Sequence, residues 1–174
     1  MKRLEDYVLT IPDFPEEGIM FRDVTTVLQD ADGFSLAIDA YAKMLEGVDF
    51  DVIVGAEARG FIFGSVLSHM FHKPFVPARK PGKLPREVVS QEYELEYGTS
   101  SIELHSDSIK PGQKVVIVDD LIATGGTVEA IAKLVERLGG KVVKLCFLIE
   151  LAGLCGREKL KDYDIGSAII YEGK

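Results

Sequence analysis

Tryptophan and asparagine are absent from this chain of 174 residues, and cysteine occurs only at Cys146 and Cys155. The two cysteines sit in different contexts and match no zinc-ligand spacing, so they read as inert thiols of a reducing compartment. No apolar run approaches the roughly 20 residues of a membrane helix. The opening MKRLEDYVL also lacks the apolar core of a secretory signal. The expectation is a cytoplasmic protein with no membrane contact. Positive charge is scarce as well: 20 Lys and Arg against 28 Asp and Glu leave a net charge of −8. That argues against a nucleic-acid module held by phosphate contacts, yet leaves room for a small, locally basic ligand site. His69, His72 and His105 are scattered without ligand spacing and receive no role. Two nucleotide motifs are missing too. No G-x-G-x-x-G occurs, and the G-x-x-x-x-G frame of GAEARGF (Gly55–Phe61) continues with Phe61 and Ile62 where a P-loop needs Lys and then Ser or Thr. Neither a dinucleotide-dependent dehydrogenase nor a P-loop ATPase is favoured.

What is present describes one folded α/β unit. Hydrophobic residues make up 47% and charged residues 28%, enough to bury a core over a chain of single-domain length. Residues 1–30 read as an irregular or partly helical lead-in, broken by Pro12, Pro15 and Gly18. Apolar residues at Phe34, Ala37, Ile38, Tyr41, Ala42 and Leu45 predict a helix. DVIVGA (Asp51–Ala56) and PFVPA (Pro74–Ala78) predict strands around a buried helix at Phe61–Phe71. Residues 80–100 carry two prolines, two glycines and many charges, and predict a long loop or loose hairpin of the kind that serves function. QKVVIVDD (Gln113–Asp120) is apolar on both faces, as a central parallel strand should be. An amphipathic helix follows from Thr127, closed by Gly139 and Gly140, and strands are predicted at Lys141–Glu150 and Gly166–Glu172. This alternation gives a mainly parallel sheet flanked by helices, with ligands at the carboxyl ends of the strands.

One stretch carries chemistry at that edge: VVIVDDLIATGGT (Val115–Thr127). Gly125 and Gly126 free the backbone to turn amide hydrogens toward one point. With the hydroxyls of Thr124 and Thr127 and the positive end of the next helix, the segment Ala123–Thr127 makes an anion cradle fit for a phosphate monoester. Asp119 and Asp120 would repel that phosphate. They suit the hydroxyls of an attached sugar, or a nearby cation, so the stretch reads as a phosphate-and-ribose site.

The same stretch closely resembles the 5-phosphoribosyl-1-pyrophosphate (PRPP) signature of the type I phosphoribosyltransferases. EARGFIFG (Glu57–Gly64), RKPGKLP (Arg79–Pro85), YELEYG (Tyr93–Gly98) and GREKL (Gly156–Leu160) stand in the order and spacing of that family's adenine-using members. The likeness runs from PDFPEEGIMFRD (Pro12–Asp23) almost to Lys174. It implies the type I phosphoribosyltransferase fold over residues 1–174, with residues 1–30 contributing a small hood over the purine and residues 80–100 a flexible catalytic loop.

The resemblance further implies transfer of a phosphoribosyl group from PRPP to N9 of adenine, giving AMP and pyrophosphate in purine salvage, with Mg²⁺ as cofactor and a homodimer as the assembly. Mg²⁺ would be held mainly by PRPP and water. Arg59 would stabilise the departing pyrophosphate, Gly60 would permit close backbone approach, and an unusual cis peptide is expected between Ala56 and Arg59. Arg79, Lys80 and Lys83 form a cationic cluster; by resemblance Arg79 and Lys83 reach the pyrophosphate, Lys83 from a neighbouring subunit. Glu96 is implied as the acid/base residue for the N9 proton, with Tyr97 closing over it. Met20, Phe21 and Arg22 are implied to cover the base, and Leu154 to face it from the other side. Two alternatives stay open. One is a phosphoribosyltransferase for an oxopurine, since a few hydrogen bonds decide between a 6-amino and a 6-oxo group. The other is a non-catalytic PRPP-binding regulator, disfavoured because residues 1–50 show no basic helix-turn-helix pattern.

Overall fold

A strand apolar on both faces needs cover on both faces, and that requirement organises the molecule. The structure, a computed structural model, describes residues 2–95 and 98–173. Along strand β7 (Lys114–Ile122), Val115 and Ile117 join one core while Val116 and Val118 join the other, the period-2 alternation of a pleated strand. β7 is the middle of a five-stranded sheet with order β4-β3-β7-β8-β9, formed with β3 (Val52–Ala56), β4 (Phe75–Ala78), β8 (Lys141–Leu151) and β9 (Ile165–Tyr171). Every pairing in it is parallel. Parallel neighbours require crossovers. These are supplied by α3 (Arg59–Phe71) between β3 and β4, α4 (Gly126–Arg137) between β7 and β8, and short α5 (Gly156–Lys159) between β8 and β9.

One face is covered by α3 and by α2 (Ala31–Met44), which bury Tyr41, Phe63 and Leu67 against Val116 and Val118. α2 starts where Asp30 accepts hydrogen bonds from the amides of Asp32 and Gly33, a side-chain cap on its free donors. The other face is covered by α4 through Val128, Ile131, Leu134 and Val135. α4 stops where the sequence places its glycines: Gly139 takes a φ of +89°, and the Gly140 amide donates to the Val135 carbonyl at 2.9 Å. Among the described residues no helix is long and apolar enough to cross a membrane.

Two segments hold more strand than their composition suggests. The lead-in contains a short 3₁₀ turn (Leu4–Tyr7), then β1 (Leu9–Pro12) antiparallel to β2 (Met20–Asp23), then the one-turn helix α1 (Thr25–Leu28). Pro12 is tolerated because β1 is half of a two-stranded ribbon with a free edge. The stretch expected as a loop or loose hairpin keeps its loop over residues 80–87 and from Val88 becomes a hairpin that extends past residue 100. Its arms β5 (Val88–Glu94) and β6 (Thr99–His105) pair from Val88 with His105 to Glu94 with Thr99. Ile102 and Leu104 plug it into the α4-side core, and mutual backbone hydrogen bonds between Arg79 and Glu103 tie it to the end of β4.

Candidate active site

The carboxyl end of β7 brings Asp119 and Asp120 to the edge of the sheet, and the surroundings of this pair differ from those of a solvated strand end. Asp120 is 4% exposed and accepts a hydrogen bond from Arg59 Nε, the first residue of α3. The Asp120 amide donates to Asp119 Oδ1 at 2.8 Å. Burial, and then the neighbouring Asp120 charge, push the Asp119 carboxyl well above the usual carboxylate range. For Arg59, burial lowers proton affinity, but the hydrogen bond and charge of Asp120 outweigh it, with Asp119 and Asp23 adding to the rise. Asp23 ends β2, so the lead-in hairpin reaches the electrostatic field of this site.

Two residues hold the strand end in place. Tyr41 of α2 is fully buried, and its hydroxyl donates to the Asp119 carbonyl at 2.7 Å. Gly60 lets α3 lie directly on β7: a Cβ there would stand 2.7 Å from the Val118 carbonyl oxygen and 3.2 Å from Asp119 Cα.

Beyond Asp120 the chain curls into the expected cradle. Asp119, Ala123, Thr124, Gly125, Gly126 and Thr127 line a cavity of about 110 Å³. Gly125 has a φ of +82°, a left-handed turn that glycine adopts without steric cost. The turn leads into α4, whose N-terminus is capped by no described side chain and whose first residues, Gly126, Thr127 and Val128, line the cavity. A Cβ on Gly126 would meet the Glu94 carbonyl oxygen at 3.4 Å, which brings the end of β5 to the rim of the cradle.

The cationic cluster follows β4. Arg79 Nη2 lies 3.1 Å from Glu57 Oε1, and the Lys80 amide donates to Glu57 Oε2 at 2.6 Å. Burial pushes the Glu57 carboxyl up, but the Lys80 amide and the Arg79 guanidinium outweigh it and hold the group below its ordinary value. Glu103 accepts from the Gly82 amide at 3.3 Å. Lys83 contributes its carbonyl, at 3.5 Å from Arg79 Nη1. The segment holding Glu57 contains the unusual bond expected there: the Glu57–Ala58 peptide is cis.

The candidate base-facing residues lie on β2 and on the turn after β8. Met20 is exposed, and Phe21 meets Phe14 edge to face with centroids 5.1 Å apart. Arg22 is committed elsewhere: its guanidinium stacks 3.9 Å from the ring of Tyr171 at the end of β9 and donates to Thr10 across the hairpin. Leu154 ends a 3₁₀ turn (Ala152–Leu154) directly after β8 and is half-buried. Glu96, the expected acid/base residue, and Tyr97 lie outside the described residues. Cys146 is buried, its thiol pushed up to about 12, as an inert core residue should be.

The structure thus gathers Arg59, Asp119, Asp120 and Ala123–Thr127 at one strand end, with Arg79 and Lys80 pinned beside Glu57. Sequence reasoning missed Tyr41, Glu57, and the buried Glu150 with its partner Arg157. Tyr41 shows only as one more apolar position in a helical repeat. Glu57 and Arg157 lie inside motifs that were recognised, EARGFIFG and GREKL, but their ion pairs join residues apart in sequence.

Residues 25–172 match the phosphoribosyl transferase domain family. The chain is 66% identical to the adenine phosphoribosyltransferase of Agathobacter rectalis over 174 residues, covering 100% of each. The crystal structure of adenine phosphoribosyltransferase from Thermoanaerobacter pseudethanolicus superimposes with a TM-score of 0.93 at 56% identity, covering 97% of this chain and 98% of that one. The Saccharomyces cerevisiae adenine phosphoribosyltransferase, crystallised with D-2,5-dideoxy-2,5-imino-altritol 1,6-bisphosphate and adenine, gives a TM-score of 0.90 at 40% identity, covering 95% and 96%.

Proposed function

We propose, since this chain belongs to the phosphoribosyltransferase family and within it to the adenine phosphoribosyltransferases, that it transfers the phosphoribosyl group of PRPP to N9 of adenine, releasing pyrophosphate and giving AMP for purine salvage. The observation that carries this reading is the end of β7: two crowded carboxylates, one of them held by Arg59, running straight into an amide-lined cavity of about 110 Å³. A sugar phosphate presents its hydroxyls and its anion in the same order.

In this reading the 5′-phosphate sits in Ala123–Thr127, held by backbone amides, by Thr124 and Thr127, and by the start of α4. Asp119 and Asp120 accept hydrogen bonds from the ribose hydroxyls, which relieves the repulsion that raises Asp119. Arg59 and Arg79 turn from Asp120 and Glu57 toward the pyrophosphate, and Lys80 and Lys83 extend the cationic wall. Lys83 of a neighbouring subunit serves the site if the protein is a homodimer. Glu96 accepts the proton that N9 loses as the bond to ribose forms. Met20 and Phe21 cover the adenine, Arg22 braces that hairpin, and Leu154 closes the other side.

Among the described residues no group of three or more His, Cys, Asp or Glu is placed to cage a metal. The donors that are present, two adjacent carboxylates with repulsion to relieve, fit a Mg²⁺ held chiefly by PRPP oxygens and water, with Asp119 and Asp120 as outer partners. When bound, Mg²⁺ neutralises charge on the leaving pyrophosphate. We place the enzyme in the cytoplasm. The test is pyrophosphate release with PRPP and Mg²⁺, offering adenine, hypoxanthine, guanine and xanthine separately. Turnover with adenine alone is expected. Turnover only with an oxopurine would overturn the base assignment, and PRPP binding without turnover would make the protein a sensor.

A further inference from the structure

We propose that Glu150 is a positioning residue for the nucleobase, acting through Arg157 to fix the turn that carries Leu154. The proposal rests on the adenine-transfer reading above and adds to it the element that holds the base-side wall.

Glu150 lies near the end of β8, in register with Ile122 of β7 and Ile170 of β9, and is 4% exposed. Both of its carboxylate oxygens are taken. Arg157 Nε donates to Oε1 at 2.9 Å, while Arg157 Nη2 and Ser167 Oγ each donate to Oε2 at 2.6 Å. The remaining nitrogen, Arg157 Nη1, reaches the Ile165 carbonyl at 3.3 Å. The guanidinium therefore fastens the start of α5 to the carboxyl end of β8 and the first residue of β9, gripping Glu150 with a two-pronged fork, a geometry that a lysine does not reproduce.

Between the two ends of the fork lie Leu151–Gly156, the turn whose last 3₁₀ residue is Leu154. The ion pair closes this turn as a clasp. The turn also packs closely against chain at both of its glycines. A Cβ on Gly156 would stand 2.3 Å from the Ala123 carbonyl oxygen and 3.1 Å from the Gly125 amide nitrogen, both in the phosphate cradle. A Cβ on Gly153 would stand 2.9 Å from the Gly173 carbonyl oxygen. One turn thus touches the cradle through Gly156 and carries Leu154 two residues earlier.

Only the acid of this pair is buried, the Arg157 side chain being 46% exposed, and such a pair adds little net stability once solvent screening and the desolvation of Glu150 are counted, so packing alone does not account for it. It does fix direction. The hydrogen bond from Arg157 holds the Glu150 carboxyl below its usual range against the opposing pull of burial, so the clasp stays charged at neutral pH.

The experiment compares Arg157→Met, Arg157→Lys and Gly156→Ala with the wild-type enzyme in steady-state kinetics and thermal melts. Hydrogen–deuterium exchange over residues 151–156 is measured in parallel. For Arg157→Met we expect the KM for adenine to rise about tenfold with the KM for PRPP changed by less than about twofold, as a displaced apolar wall should do. Arg157→Lys should fall between. Gly156→Ala pushes the turn against the cradle and should give the opposite split, raising the KM for PRPP more than that for adenine. Exchange over 151–156 should quicken in Arg157→Met. The proposal is overturned if Arg157→Met leaves the adenine KM unchanged, or raises both KM values together in step with a lower Tm. Absence of wild-type turnover with adenine refutes the functional reading instead. The exchange data then decide the clasp alone, and unchanged rates in Arg157→Met reject it.

Discussion

Gly60→Ala adds a single methyl group at the point where α3 meets β7. The new Cβ would stand 2.7 Å from the Val118 carbonyl oxygen and 3.2 Å from both Asp119 Cα and Asp119 Oδ1, whereas ordinary contact begins at 3.4 Å. The nearest atoms are backbone, so no side chain can rotate away and the first turn of α3 must lift. Overpacking of this kind costs about 1–3 kcal/mol. For a chain of this size that is a fall in Tm of about 2–12 °C. The lift also moves Arg59 away from Asp120. Since a misplacement of about 1 Å costs on the order of 100-fold in rate, a shift of several tenths should lower kcat/KM about tenfold or more. Gly64→Ala is the matched control. Its Cβ would stand 2.8 Å from Phe75 Cε2, a comparable clash one helical turn further on, but against a ring that can move. Both variants are assayed by pyrophosphate release well below their Tm. Gly64→Ala should lose stability and keep kcat/KM. A folded Gly60→Ala enzyme with wild-type kcat/KM, or equal kinetic loss in both variants, would refute the reasoning.

Asp119→Asn should stabilise the protein while impairing PRPP use. A carboxyl whose pKa is raised on folding takes up protons as the chain folds, so its contribution falls as pH rises from the unfolded value, about 4, through the folded one. The gain in Tm over wild type should therefore appear above that window and vanish below it, as melts across pH would show. Asp120→Asn removes the charge that Arg59 pairs with and should raise the KM for PRPP without unfolding the protein; unchanged kinetics would count against the ribose assignment. Glu96→Gln should slow the chemical step in single-turnover experiments more than it weakens PRPP binding, and equal losses would point to positioning instead.

The sheet was legible because its signals are local. VVIVDD is apolar on both faces and therefore central, and the Gly139-Gly140 stop of α4 is written in the chain itself. The cradle was legible for the same reason, since its residues are consecutive. The β5–β6 hairpin was harder to read because its outward positions, such as Glu92 and Glu94, resemble loop composition. Only Ile102 and Leu104, buried by α4, reveal the inward face of β6. Tyr41 and Glu57 were out of reach in principle. The Asp119 carbonyl that Tyr41 grips is 78 positions away, and the Glu57–Arg79 pair spans 22.

The pairing of Arg59 with Asp120 and of Arg79 with Glu57 has a kinetic consequence. Both arginines assigned to the diphosphate already have a counter-ion inside the protein. In the proposed reaction an arriving diphosphate would therefore enter by exchange, displacing one carboxylate from each guanidinium rather than filling a bare positive field. The exchange lowers the net gain of binding, and it runs equally well in reverse. Once the bond to ribose has changed hands, Asp120 and Glu57 stand ready to reclaim their arginines, which speeds the departure of a highly charged product. A chain of net charge −8 can in this way handle a polyanion without holding on to it.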